Sequence, residues 1–413
     1  MSTPPRETPP ERPSSLAEPG TGALLGTFAV FLKLGCTSFG GPIAHLGYFR
    51  DEFVGRRKWL GDAAYADLVA LCQFLPGPAS SQVGIALGAT RAGLAGAIAA
   101  WVGFTLPSAL VMIAFGYGLR LLDDAADAGW LHGLKIAAVA VVAQAVWSMG
   151  RQLCPDRMRA SFAMTAVLLV LAWPGTLMQV AAIALGGLAG WRLLPAAGSG
   201  SGDHVDFRLG RRSSAIASVV FFVLLATLPV LSRISGDHAV AMFDSFYRAG
   251  SLVFGGGHVV LPLLRAEVVP SGWVSDGDFL AGYGVAQALP GPLFAFAAYL
   301  GTVAQGTPGG WTGGLLALLA IFLPAFLLVF GALPHWSAWR AKPAMRSSMM
   351  GINATVVGIL LAALYDPIFV GAVHGPGDFA LALACFALLA FWKVRPSWIV
   401  VLAALGGTLL SRW

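Results

Sequence analysis

The sequence predicts an all-α polytopic membrane protein made of two inverted-topology repeats, with helices broken or re-entrant at Phe-Gly-Gly and Pro-Gly-Pro motifs. Three observations carry this reading. The 413-residue chain is 57% hydrophobic and only 11% charged, with a mean hydropathy of +0.75. An ordered series of motifs occurs twice along it. An apolar segment with no counterpart lies between the two copies.

Composition sets the class. A soluble protein carries about 25% charged residues, and here too few charges remain to cover a globular surface. Runs almost free of charge recur near the roughly 20 residues that cross a bilayer. The short alternating strands of a membrane barrel are not visible. The first 22 residues, rich in Pro, Ser and Glu, lack an apolar h-region and read as a disordered cytoplasmic tail rather than a signal peptide. The four cysteines (Cys36, Cys72, Cys154, Cys385) show no CxxC or metal spacing and read as small buried thiols. The net charge of +6 does not point to nucleic acid, because basic residues in a membrane protein mostly mark cytoplasmic loops.

The repeat is explicit. "FLKLGCTSFGGPIAHLGYFRDEF", "WLGD" and "CQFLPGP" are echoed by "FYRAGSLVFGGGHVVLPLLRAEV", "WVSD" and "AQALPGP". Phe39-Gly40-Gly41 pairs with Phe254-Gly255-Gly256, Arg50 with Arg265, Trp59 with Trp273, Asp62 with Asp276 and Gln73 with Gln287. Further on, Pro107 of "GFTLPSALVM" pairs with Pro324 of "AIFLPAFLLV". An ordered series of this kind indicates internal duplication. The first repeat spans 23–194 and the second 243–413. A basic Gly/Ser linker (195–214) and a connecting transmembrane helix (215–232) separate them. One extra crossing flips the second copy, giving the inverted repeat common in secondary transporters.

Loop charges agree. With the linker inside, Arg151–Arg159, Arg340–Arg346 and Lys393–Arg395 fall inside, while Asp123–Asp127, Asp366 and Asp378 fall outside. One loop resists: Arg50, Arg56, Arg57 and Lys58 fall outside if every apolar segment crosses. They return inside if the segments holding "SFGGP" and "FLPGP" enter the membrane and turn back. Proline and glycine in those segments break helices, and non-helical backbone at membrane depth is tolerated only inside protein or against a cavity. A re-entrant hairpin and a discontinuous span both satisfy this. A full crossing with a mild kink is the plain alternative.

A helix that starts inside the membrane presents free N–H groups and a positive dipole end, which suit an anion. The candidate binding residues are therefore Ser38, Phe39, Gly40, Gly41, Pro76, Gly77, Pro78 and Ser80 in the first repeat. Phe254, Gly255, Gly256, Pro290, Gly291 and Pro292 are their candidates in the second, with Gln73 and Gln287 beside the prolines. Arg50 and Arg265 either bind an oxyanion through the planar guanidinium or snorkel to the interface. His45, Asp67, His258 and Glu267 are candidates for carrying a proton, with a structural role as the alternative. No GxxxxGK[ST] appears, so energy comes from an ion gradient or the substrate's own gradient. No haem, flavin or Fe–S signature, no HExxH or GxSxG, and no paired His/Cys cluster supports an enzyme.

These motifs resemble the chromate ion transporter family. The residues that carry the likeness are Phe39-Gly40-Gly41-Pro42 with Arg50, Trp59-Leu60-Gly61-Asp62, Gln73 with Leu75-Pro76-Gly77-Pro78, and their repetition in the second half. The resemblance runs from about Leu24 to the C-terminus and is to the long, two-domain members. It implies a multi-pass protein of the bacterial inner membrane that exports chromate, confers resistance and is driven by proton-motive force, with sulfate as a competing analogue. No cofactor is implied. Chromate, protons and the bilayer are the expected partners, and the oligomeric state, including a homodimer, is left open. Gly257 stands where the first repeat has Pro42, so the two halves are not expected to be equal. A sulfate or other oxyanion transporter and an electrogenic anion uniporter are the rival readings.

Overall fold

The computed structural model describes residues 21–121, 129–195, 211–254, 257–336, 339 and 342–411. Most of the N-terminal tail, most of the linker, the acidic loop 123–127, Arg340, Gly255 and Gly256 lie outside them. Among the described residues all regular structure is helical.

The first repeat contains α1 (Thr21–Thr37), α2 (Gly41–Phe49), α3 (Asp62–Phe74), α4 (Ala79–Leu121), α5 (Gly129–Leu153), α6 (Arg157–Ala172) and α7 (Thr176–Leu193). The connecting helix is α8 (Arg211–Ser235). The second repeat contains α9 (His238–Leu252), α10 (Val260–Val268), α11 (Asp276–Ala288), α12 (Phe296–Val303), α13 (Gly310–Ala332), α14 (Pro343–Ala363), α15 (Pro376–Ala390) and α16 (Pro396–Leu410). Local chemistry explains many of the boundaries. Pro343, Pro376 and Pro396 sit at the starts of α14, α15 and α16, where a missing N–H costs nothing. Asp156 and Ser275 cap α6 and α11 by accepting the N–H of Arg159 and Asp278.

Three of the four motifs fall between helices among the described residues. Residues 38–40 separate α1 from α2, and 75–78 separate α3 from α4. Leu289–Pro292 separates α11 from a short turn that leads into α12. α3 and α11 have 13 residues each, about 20 Å at 1.5 Å per residue, well short of the ~30 Å hydrocarbon core. α4 also bends, because Ala92 and Gly93 leave helical geometry and Gly93 adopts φ 57°. Its second-repeat counterpart is the break between α12 and α13. Gly88 meets Gly96 backbone to backbone across the first bend, and Gly301 meets Gly313 across the second. The motif tryptophans brace these corners. Trp59 stacks under Arg91 at 4.9 Å, and the Trp273 carbonyl accepts the Gln305 N–H at 2.9 Å.

The repeats are interlocked rather than side by side. α1 packs on α4 and α9 on α13, within each repeat. α5, however, packs on α16 of the second repeat, and its counterpart α14 packs on α7 of the first. Glycines permit the close approach: Gly133 lies against the Ala403 backbone and Gly351 against Gly186 and Gly190.

Among the described residues, five helices are long and apolar enough to cross a membrane. Large apolar side chains face outward, Leu177 at 85% exposure among them, and the exposed Trp173, Trp191, Trp311, Trp392 and Trp398 cluster at helix ends. That distribution matches lipid outside and an aromatic belt at each interface, as expected of a multi-pass membrane protein. An apolar groove of about 740 Å³ between α4, α8 and α13, lined by Leu94, Ile98, Ile216 and Phe330, belongs to this hydrocarbon-facing surface and not to the motif breaks.

Candidate functional site

Each Pro-Gly-Pro turn reaches into the other repeat. The Gly77 N–H donates to the Val253 carbonyl at 2.7 Å, and the Gly291 N–H donates to the Ser38 carbonyl at 3.0 Å. Gly77 and Gly291 are equivalent positions, and so are Val253 and Ser38. One bond is thus made twice, once in each direction, as a two-fold relation between the halves requires. Both glycines have positive φ, 120° and 96°. A Cβ on Gly291 would come within 2.9 Å of Ser108 Oγ and 3.2 Å of the Phe104 carbonyl, so the turn is seated tightly.

The surroundings of the two turns differ in chemistry. The first repeat buries Ser38, His45, Ser80, Ser81, Gln82, Thr105 and Ser108. Contacts tie most of these together. His45 Nδ1 lies 3.4 Å from Ser80 Oγ, the His45 ring meets Phe104 edge-on, and Gly291 bridges Ser38 and Ser108. Gln82 donates to the Pro76 carbonyl at 2.7 Å and closes its own turn. The second repeat places Val253, Val260, Phe294, Ala295, Phe296, Phe322 and Ala325 at the matching positions. Every polar group of the first set has an apolar counterpart.

Among the described residues, several polar atoms of the first set have no hydrogen-bond partner: Ser38 Oγ, His45 Nε2, Ser81 Oγ, Gln82 Oε1 and Thr105 Oγ1. A buried polar atom without a partner costs about 1–3 kcal/mol. A group of them around one helix start is therefore a feature that stability alone does not favour. α4 begins at Ala79, so its free first-turn N–H groups lie among Ser80 and Ser81. The matching turn of the second repeat is only the three-residue Leu293–Ala295, flanked by apolar side chains.

The second repeat adds His258, Tyr283 and Gln287. His258 Nδ1 and Tyr283 Oη are 2.9 Å apart, and Gln287 Nε2 is buried near them. A Cβ on Gly41 would lie 3.9 Å from His258 Nε2, so this histidine faces the Phe-Gly-Gly turn of the first repeat. Gly40 and Gly41 both take positive φ there, 97° and 77°. Phe39 and Phe254 flank the turns half-buried, and Pro78 and Pro292 are buried beside their glycines.

Other sequence candidates are held elsewhere. Arg50 is exposed and paired with Asp62 at 2.7 Å, and Arg265 makes a two-pronged pair with Asp276 at 2.7 and 2.8 Å. Each motif arginine is thus bound by the aspartate of the following Trp motif. Arg265 also lines a cavity of about 170 Å³ with Gln179 and Asp366. Gln73 is exposed. Asp67 accepts the Trp336 indole N–H at 3.0 Å. Glu267 is gripped by Arg248, which also pairs with Asp244, and accepts from Ser245. Its first-repeat counterpart, Glu52, is paired instead with Arg56 and Arg57. Burial pushes the Glu52 carboxyl up, but these two guanidinium groups hold it below the usual carboxylate range.

Sequence reasoning passed over Gln82, Thr105 and Ser108. The signal was available in the alignment of the halves: "ASSQ" stands against "LFAF", and "TLPS" against "FLPA".

The sequence model of the chromate transporter family matches residues 25–191 and 240–408. A chromate transport protein of Pseudomonas aeruginosa is 30% identical over 404 residues, covering 94% of this chain and 91% of the relative. A probable chromate transport protein of Synechococcus elongatus is 27% identical, covering 92% and 93%. A chromate transport protein of Cupriavidus metallidurans is 28% identical, covering 91% and 90%. No solved structure matches.

Proposed function

The chain belongs to the chromate transporter family, and from that premise we propose that it exports chromate across the bacterial inner membrane through a site in the first repeat, completed by the second. The observation that carries the site is the asymmetry around the two Pro-Gly-Pro turns. A tetrahedral dianion accepts hydrogen bonds on all its oxygens. Ser80, Ser81 and Thr105 supply hydroxyl donors, while Ser108 donates to the Thr105 carbonyl, and the start of α4 supplies backbone N–H groups and a positive dipole end. The second repeat supplies the Gly291 turn as a wall and His258 as a facing polar group. Sulfate has the same charge and nearly the same shape, so it competes at this site. Arg50, exposed, and Arg265, half-buried, act at the approaches as attractors, with Asp62 and Asp276 moderating their charge. The two-fold axis lies in the membrane plane on this reading, as the loop charges support.

Export is coupled to protons in the favoured mechanism, and His45 is its strongest carrier. Asp67 and Glu267 are engaged by Trp336 and Arg248, whereas His45 sits within the polar group beside Ser80. Electrogenic uniport is the second reading, favoured by energetics. Moving a dianion outward releases about 2.3 kcal/mol per charge per 100 mV, roughly 4.6 kcal/mol in all, and drives more than a thousandfold gradient.

Sealed vesicles given labelled chromate or sulfate, with and without an imposed pH gradient, test the function. The expected result is chromate flux that sulfate inhibits and a pH gradient accelerates. Absence of flux for both anions rejects the proposal. Flux indifferent to the pH gradient at clamped potential, with internal pH constant, selects uniport.

A further inference from the structure

We propose that His132, His374 and Asp378 form a binding site for a divalent transition-metal ion, with Zn²⁺ as the best match. One nitrogen or oxygen from each of the three residues lies within 4.8 Å of the others. His132 Nε2 and Asp378 Oδ1 are 2.8 Å apart, and the two imidazoles stack at 5.5 Å between centroids. In a tetrahedral zinc site with bonds of about 2.0–2.1 Å, ligand atoms stand about 3.3 Å apart. Small side-chain rotations reach that arrangement from the present one. Two imidazoles and a carboxylate form a donor set suited to zinc and its neighbours and unsuited to Mg²⁺, which prefers oxygen.

The surroundings prepare the site. The side chains of His132 and Asp378 are only 27% and 12% exposed, while His374 is open to solvent and gives an entry path. The His374 backbone N–H donates to Asp378 Oδ2 at 2.9 Å, which orients the carboxylate and leaves Oδ1 directed at His132. Three protein ligands leave the fourth position to water.

The position gives the ion a role. His132 lies in the first turns of α5, and His374 and Asp378 flank the start of α15. The site therefore spans the two repeats, far along the sequence but adjacent in space. Loop charges assign this end of the bundle to the outside, so external metal would tighten the contact of α5 with the second repeat. Nothing in the transport proposal uses these residues.

The test uses the full-length purified protein in detergent with the metal alone. After dialysis against ZnCl₂ and removal of excess, bound zinc is measured by mass spectrometry, and thermal unfolding is followed with ZnCl₂ and with MgCl₂. The expected result is one zinc per chain, a higher Tm with Zn²⁺ and no change with Mg²⁺. His374→Ala, at an exposed loop position that is expected to fold normally, loses both effects, as does His132→Gln. Visible d–d bands on titration with Co²⁺ report the ligand geometry independently of stability. No bound zinc in the wild-type chain overturns the proposal, and so does zinc binding that His374→Ala and His132→Gln leave unchanged.

Discussion

Pro42 and Gly257 occupy equivalent positions in the two repeats, and they face each other: a Cβ on Gly257 would sit 3.1 Å from Pro42 Cγ. The departure of the second repeat from the first thus has a steric reason. Where the halves meet, there is room for one pyrrolidine ring and not for two. Gly257→Pro is expected to lower thermal stability and folded yield, while the exchange Pro42→Gly with Gly257→Pro recovers most of the loss. Thermal unfolding of the single and double variants measures this. A double variant no better than Gly257→Pro alone would sink the account.

Gly291→Ala is expected to reduce transport strongly with protein still in the membrane. Its φ of 96° costs a side chain about 1–2 kcal/mol, and the new Cβ meets Ser108 Oγ. Gly77→Ala carries the same conformational cost at φ 120°, with its Cβ against Gln82 Nε2. Membrane abundance and vesicle flux, measured together, separate a transport defect from an insertion defect.

The polar set of the first repeat is expected to matter where its apolar counterpart does not. Ser80→Ala and His45→Phe should each lower kcat/KM for chromate about tenfold or more, since a hydrogen bond to a charged group is worth about 1.5–3 kcal/mol. Ala325→Ser and Ala295→Ser, which place hydroxyls at the matching second-repeat positions, should leave it nearly unchanged. Equal losses in both repeats would remove the asymmetry on which the site rests.

Single cysteines placed near Asp124, Arg57 and Arg157 and treated with an impermeant thiol reagent in intact cells read the topology. Labelling is expected near Asp124 only. Labelling near Arg157 and not near Asp124 would invert the model, and labelling near Arg57 would mean that the first motif segments cross fully.

Glu52 gives a pH dependence with a definite sign. Its carboxyl is held below the usual value of 4.5, so its pairs with Arg56 and Arg57 stabilise the fold above that value and are lost as pH falls through the lowered one. On acidification below about pH 4.5, the wild-type Tm should fall more steeply than that of Glu52→Gln. Parallel curves would show that the pairs add nothing.

The helical class, the duplication and the helix ends at the Pro-Gly-Pro turns were legible because each rests on local chemistry. Proline and glycine interrupt helices wherever they stand, and a repeated order of motifs survives in one dimension. The bend at Ala92–Gly93 has no proline to mark it in the sequence. Nor does the sequence show that Asp62 and Asp276, twelve and eleven residues on, pair with Arg50 and Arg265. The bonds from Gly77 to Val253 and from Gly291 to Ser38 were illegible in principle, since nothing local specifies that each turn is satisfied by the opposite repeat. Nor could sequence spacing bring His132 to Asp378, 246 positions away.

The docking of α5 on α16 sets a schedule for biosynthesis. α5 ends at Leu153 and α16 begins at Pro396, so roughly 240 residues must be made before this contact can form, although α11 at Asp276–Ala288 can reach α5 earlier. At about 5–20 residues per second the ribosome needs roughly 12–50 s for that stretch. Throughout it α5 is in the bilayer with its glycine face turned to lipid or to a chaperone. A ribosome that stalls or terminates within the second repeat releases a chain whose first repeat has every residue and still lacks a seat for one of its helices, which makes such fragments natural substrates for membrane proteases.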